Sequence, residues 1–312
     1  MKRPEMKERR TVSIIAVACL VLSLAASSVT LHLADKRRPQ ATLDEVLFMN
    51  SPKVIKRLSL GYDGLMACIY WTRAVQYFGS RHDVYAASYN LLAPLLEITT
   101  HLDPHLIVAY EFGSSFLAAK PPYGAGQPER AIDLMEYGVK SNPDNWRLYY
   151  DLGFVYYMDL KDYKKAADAF DRGSRVPNAH PFLKVWAAQM AQHAGEYQTA
   201  RMLWSATYQN SHDRQIRNNA VEHLRGLRVD EDVENLQQAV SRFKAHTGRL
   251  PVSMSELASA AGLSKVPADP DGHPYKIMPD GRVEVQVPDD FPFAINGLPP
   301  GYKPQPKFHP VN

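Results

Sequence analysis

The chain has 312 residues, 45% hydrophobic and 22% charged, enough to build a sizeable core. Much of its net charge of +3 sits near the N-terminus, at Lys2, Arg3, Lys7, Arg9 and Arg10, and no basic stripe with interleaved aromatics exists to bind nucleic acid. Two cysteines, Cys19 and Cys68, exclude a disulfide framework and do not suit a zinc or redox pair.

Residues 1–10 predict a cytoplasmic tail and residues 11–34 a transmembrane helix. The 24 residues of that run contain no Asp, Glu, Lys or Arg. At about 1.5 Å rise per residue they reach across a hydrocarbon core of roughly 30 Å. Ala26-Ser27-Ser28 offers a rival signal-cleavage site, and Ala18-Cys19 weakly resembles a lipoprotein site. The apolar run continues past both, through Val29, Leu31 and Leu33, before Asp35-Lys36-Arg37-Arg38 stops it, which suits an uncleaved anchor better. Five Lys/Arg precede the span and three follow it directly, a bias that keeps the N-terminus in the cytoplasm. The expectation is a single-pass inner-membrane protein that meets the lipid bilayer through this helix, with its C-terminal domain in the periplasm.

Residues 35–57, with Pro39 and Pro52, predict a stalk. From residue 58 the pattern turns helical, with Leu65, Ala67, Ile69, Tyr70, Ala74 and Tyr77 at helical spacings until Gly79-Ser80. A partner helix is predicted over 86–102, ended by Asp103-Pro104 because the residue before proline disfavours the helical region. Three helical hairpins follow, over 105–143, 146–177 and 181–213. In the middle one, Leu152-Gly153 and Tyr156 fall on the first helix and Ala166, Phe170 and Gly173 on the second. Phe112-Gly113, Phe116, Ala131, Met135 and Gly138 take those places in the hairpin before, and Ala187-Ala188, Gly195, Tyr197, Ala200 and Trp204 recover the pattern after it. Small residues let two helix backbones approach, and rings beside them fill the space. The first hairpin has a Pro/Gly-rich loop over 120–126, and the middle one carries an extra residue within 158–162.

The small-residue marker recurs at Ala131, Ala166 and Ala200, spacings of 35 and 34. Tetratricopeptide units repeat at about 34 residues. Residues 58–228 therefore resemble a tetratricopeptide array, with one degenerate unit in front, three recognisable units and a polar capping helix over 214–227. With the anchor and the stretch THLDPHLIVAYEFG at 100–113, the chain resembles a group of bacterial membrane-anchored tetratricopeptide repeat proteins. That resemblance implies an envelope location and no chemistry. The expected fold is all-α: a tetratricopeptide helical-hairpin solenoid behind one N-terminal transmembrane helix, with a small C-terminal helix plus β-hairpin module.

That module is predicted over 229–286. Its helix, 229–247, has Asp230, Glu231 and Asp232 at the positive end and a stripe of Val233, Leu236, Val240 and Phe243. A short helix over 256–261, capped by Ser253 or Ser255, precedes strands at 275–277 and 283–285 joined by Pro279-Asp280-Gly281. The order GRLP, helix, DPDGHPY resembles the C-terminal region of type II secretion pseudopilins, although the chain lacks a prepilin start. Asp269, Asp271 and Asp280 suit turns better than calcium. The tail, 287–312, has seven prolines and no periodicity and is predicted to be extended or disordered, with lying along the array as a further option.

No catalytic site, metal site or cofactor is predicted. His101, Asp103 and His105 sit at an inter-hairpin turn, and Glu111, Asp151 and Asp159 are expected on solvated helical faces. What remains is a groove lined by the first helix of each unit: Tyr110, Ser114, Leu117, Arg147, Tyr150, Phe154, Tyr157, Gln189 and His193. Tyrosine and phenylalanine with one arginine suit an extended peptide or a partner helix. The expected function is a non-enzymatic membrane-anchored scaffold or assembly factor for a protein or peptide partner. Two alternatives are an accessory of a type II secretion or type IV pilus-like system, and a carbohydrate-binding or processing envelope protein.

Overall fold

The structure, a computed structural model, describes residues 19–23, 26–30, 51–83, 85 and 88–303. It is all-α, with 66% helix against 2% strand. The chain divides into two compact units, Met1–Gly61 and Tyr62–Asn312.

In the first unit residues 19–23 and 26–30 are helical, and Leu20, Val21, Leu22 and Val29 are exposed on them. Helix α1 (Pro52–Leu58) begins on Pro52, whose missing N–H costs nothing in a first turn. The predicted tail, the remainder of the predicted span and most of the predicted stalk lie outside the described residues. Among the described residues no helix is long and apolar enough to cross a membrane.

The second unit opens with α2 (Asp63–Asp83) and α3 (Leu92–Leu102). Helix α2 runs about a turn beyond Gly79-Ser80, and α3 starts well after residue 86. Pro94 explains the late start. Its ring clashes with the carbonyl four residues back, so it fits only the first turn of a helix.

Three hairpins follow: α4 (Ile107–Ala118) with α5 (Pro128–Ser141), α6 (Trp146–Phe154) with α7 (Tyr163–Ser174), and α8 (Phe182–His193) with α9 (Tyr197–Asn210). Each helix packs on the next. Two hairpins share one fastening. The Tyr110 hydroxyl donates to the Pro104 carbonyl at 3.1 Å, and the Tyr149 hydroxyl donates to the Pro143 carbonyl at 3.2 Å. Tyr110 lies against bare Gly138 and Tyr149 against bare Gly173. The extra residue of the middle hairpin is absorbed as a π-helical turn, Val155–Leu160, which α6 runs into. Lys161 then turns left-handed at φ 56°, and Asp162 caps α7 through the Lys165 N–H.

Gly153 sets the spacing of α6 and α7. A Cβ there would stand 2.6 Å from the ring of Phe170, which is fully buried and hemmed in by Tyr150, Phe154 and Trp186. Gly153→Ala gains roughly 1 kcal/mol of helix propensity but overpacks a core at a cost of about 1–3 kcal/mol. The expected result is net destabilisation of ~1 kcal/mol, read from the denaturant midpoint; an unchanged or raised midpoint would contradict the close approach.

Helix α10 (Arg214–Thr247) is continuous over 34 residues, where the sequence predicts a capping helix and a separate module helix. Nothing between Leu227 and Asp230 breaks a helix, so the apparent boundary is only a change of partner. One face packs on α9 as far as Glu234, with Arg201 paired to Glu231 and the Tyr197 hydroxyl donating to Glu234 at 2.6 Å. From Val229 onward another face carries Val229, Val233, Leu236, Val240 and Phe243 into a core with Met254 and Leu257 of α11 (Met254–Ala260), Tyr275, Val283, Val285 and Phe291. The hairpin pairs β1 (Lys276–Ile277) with β2 (Val283–Glu284), Lys276 opposite Glu284. Asp269 and Asp280 accept from backbone N–H groups two residues on, as turn residues do.

The described part of the tail is packed against the helices. Within residues 288–303 a short 3-10 turn, Pro288–Asp290, is followed by a stretch, 291–298, that folds back onto α10. Phe291 is 1% exposed, and the backbone of Phe293–Ala294 rests on Gly226, where a Cβ would come within 2.9 Å. Asp230 accepts from the N–H groups of Ile295 (2.7 Å) and Asn296 (2.6 Å) and from Gln192 Nε2 (2.6 Å). Glu231 and Asp232 also lie inside the helix, so none of the three acids meets a helix N-terminus.

Candidate aromatic cleft

The first helices of the three hairpins, α4, α6 and α8, border a cleft of about 590 Å³ together with the turn leading into α8. Helix α4 contributes Glu111, Phe112 and Ser115; α6 contributes Trp146, Arg147, Tyr150 and Asp151; the third wall is His180, Phe182, Leu183 and Trp186. Trp146 meets Tyr150 edge-on at 6.3 Å between ring centroids, and the Arg147 guanidinium lies 5.1 Å from the Trp146 ring. Phe112 and Phe182 are 53% and 61% exposed. Tyr150 lies 4.7 Å from Phe154, which is 5.1 Å from Trp186, so the inner wall continues into the core.

Two carboxylates share this aromatic setting. Asp151 is half-buried, and burial first, then the nearby Glu111 charge, push its pKa up to about 7 against the opposing pull of Arg147. Among the described residues neither Glu111 nor Asp151 has a hydrogen bond or ion pair to its carboxylate.

Of the predicted groove residues, Arg147 and Tyr150 line the cleft. Phe154 and Tyr157 are half-buried beside Trp186, at 5.1 and 6.1 Å. Gln189 is half-buried on α8, and His193 stacks on Tyr163 at 5.3 Å, burial lowering its pKa. Tyr110, Ser114 and Leu117 are each at most 1% exposed and form no wall of the cleft. The correction has a register cause. Aligning Gly113 with Gly153 makes Tyr110 equivalent to Tyr150, whereas the shared proline and glycine contacts make Tyr110 the counterpart of Tyr149. One residue on a helix is about 100°. The accessible positions are therefore Glu111, Phe112 and Ser115, and Leu117 instead borders a smaller cavity of about 190 Å³ between α3, α4 and α5.

Glu111 and Asp151, expected on solvated faces, face the cleft. The available signal was Glu111 with Ser115, a polar pair at i and i+4 that includes the one charged residue of the helix. The His101–His105 turn is internally bonded: the His105 N–H donates to Asp103 at 2.9 Å, His105 Nδ1 lies 2.7 Å from Asn142 Oδ1, and His101 stacks on Tyr137. Among the described residues no group of three or more His, Cys, Asp or Glu could hold a metal ion.

Fold and cleft together define an all-α chain of serial helical hairpins with an aromatic, carboxylate-bearing cleft across its first helices. No family model, curated protein or solved structure matches the chain.

Proposed function

We propose that the chain is a membrane-anchored tetratricopeptide scaffold or assembly factor that holds a protein partner in the cleft. The observation that carries this reading is the meeting of three successive first helices around one aromatic cleft, with Phe112 and Phe182 exposed at it. Rings of this kind offer large contact area at low entropic cost. The 35- and 34-residue spacing of the alanine marker and the repeated tyrosine-to-proline fastening support a tetratricopeptide solenoid. Uncharged residues 11–34, with apolar side chains exposed on the described helical pieces, support a bilayer anchor that leaves the cleft in the bacterial envelope. The role is non-enzymatic, with the cleft serving for binding.

A second reading has a specific observation behind it. Trp146 and Trp186 near Glu111 and Asp151 also suit a sugar ring, which would make the chain a carbohydrate-handling protein.

The test is affinity capture from solubilised membranes with Phe112→Glu and Phe182→Glu. Both side chains are exposed, so helicity should be kept while a partner identified with wild-type protein is reduced at least tenfold. Undiminished capture of that partner would contradict the scaffold reading.

A further inference from the structure

The cleft holds two unpaired carboxylates against one cation. Glu111 comes from α4, Asp151 and Arg147 from α6, and His180 stands at the entry to α8. Arg147 is occupied on the Trp146 ring at 5.1 Å and forms no ion pair with either acid among the described residues. An acid that is half-buried and unpaired carries a desolvation cost that a cation relieves. Aromatic walls add a second attraction, since ring faces bind ammonium and guanidinium groups. A neutral side chain would leave the acids uncompensated, and an acidic one would be repelled. The methylenes of a long basic side chain suit Tyr150 and Trp186, which border the same space.

We infer that the cleft is a receptor for a lysine or arginine side chain of the partner, its charged head against Glu111 and Asp151 and its stem along the aromatic wall. This rests on the scaffold reading and names the partner chemistry that reading leaves open. Cation binding favours the ionised form of Asp151. Over the range where that acid titrates, affinity should rise with pH, with Glu111, Arg147 and His180 the other charged or titratable groups facing it.

The experiment uses the full chain in detergent and nonapeptide libraries randomised at all positions except the central one. Lysine, arginine, acetyl-lysine and norleucine are compared at the centre, with binding read from tryptophan fluorescence. The expected result is at least tenfold tighter binding of the lysine and arginine libraries than of the two neutral ones. The Glu111→Gln/Asp151→Asn pair should abolish the preference while residual peptide binding remains, and lysine affinity should rise between pH 6 and pH 8. Equal binding of acetyl-lysine or norleucine overturns the cation receptor and leaves peptide binding in the cleft standing. Binding of no library, or fluorescence changes with neutral oligosaccharides alone, overturns both. The comparison of lysine with acetyl-lysine is made on wild-type protein, so it stands even if the double variant fails to fold.

Discussion

Asp230→Ala is expected to destabilise the chain by ~3 kcal/mol and to release residues 288–303 from α10. Three donors converge on this buried carboxylate: the N–H groups of Ile295 and Asn296, and Gln192, which also donates to the Phe293 carbonyl at 3.0 Å. Each buried donor left without an acceptor costs about 1–3 kcal/mol, while removing a buried anion returns part of its desolvation cost. Water entering the vacated site limits the sum. Asp230→Asn keeps one oxygen for the two backbone donors, so about half the loss is expected and the tail should stay in place. Denaturant titration gives the energies, and limited proteolysis after Phe293 reports tail release. Equal stability of all three proteins would contradict the assignment of Asp230 as the anchor.

The second large effect is a pH dependence carried by His223. Its ring is sandwiched between Trp204 and Phe293, each at 3.9 Å, and its Nδ1 is buried without a hydrogen-bond partner. Burial lowers its pKa to about 4. An unfolded histidine takes up a proton near pH 6.5. As pH falls through the window from about 6.5 to 4, the unfolded chain therefore binds a proton that the folded chain refuses, and stability is lost. At about 1.4 kcal/mol per pKa unit the full loss is ~3 kcal/mol, complete below pH 4. Asp151 and Asp230, pushed up to about 7 and about 6 mainly by burial, act in the opposite sense. Their folded forms bind protons first, so they add stability as pH falls. A difference measurement separates the terms. His223→Phe preserves a flat ring in the sandwich and removes the proton site, so the variant should match wild type at pH 7.5 and exceed it by ~3 kcal/mol near pH 4. Parallel stability curves would rule out a neutral buried His223.

The helical hairpins were legible because their signals are local. Alanine and glycine at Ala131, Ala166 and Gly173 sit where helices touch, and Pro104 marks a helix boundary by its own geometry. What the sequence concealed depends on long-range partners. Gly113 and Ser114 are both small and both buried, so pattern alone could not say which of them matches Gly153, and the groove shifted by one residue. Asp230 reads as a helix-start acid until Ile295 and Asn296, more than sixty residues later, are seen to donate to it. Gly226 is likewise explained only by the tail, since its bare Cα is what lets the backbone of Phe293–Ala294 lie there. The described part of the tail is held by α10 rather than by any repeating structure of its own, so its sequence shows no periodicity.

Binding of a protein partner in the cleft is tested most directly by photo-crosslinking in intact cells. A benzophenone amino acid replaces Phe182 or Phe112, both exposed at the cleft, or Lys140, exposed on the second helix of its hairpin. The predicted result is one protein adduct common to positions 182 and 112 and none from position 140. Absence of an adduct at both cleft positions, or an equal yield from position 140, would contradict a partner seated between α4, α6 and α8.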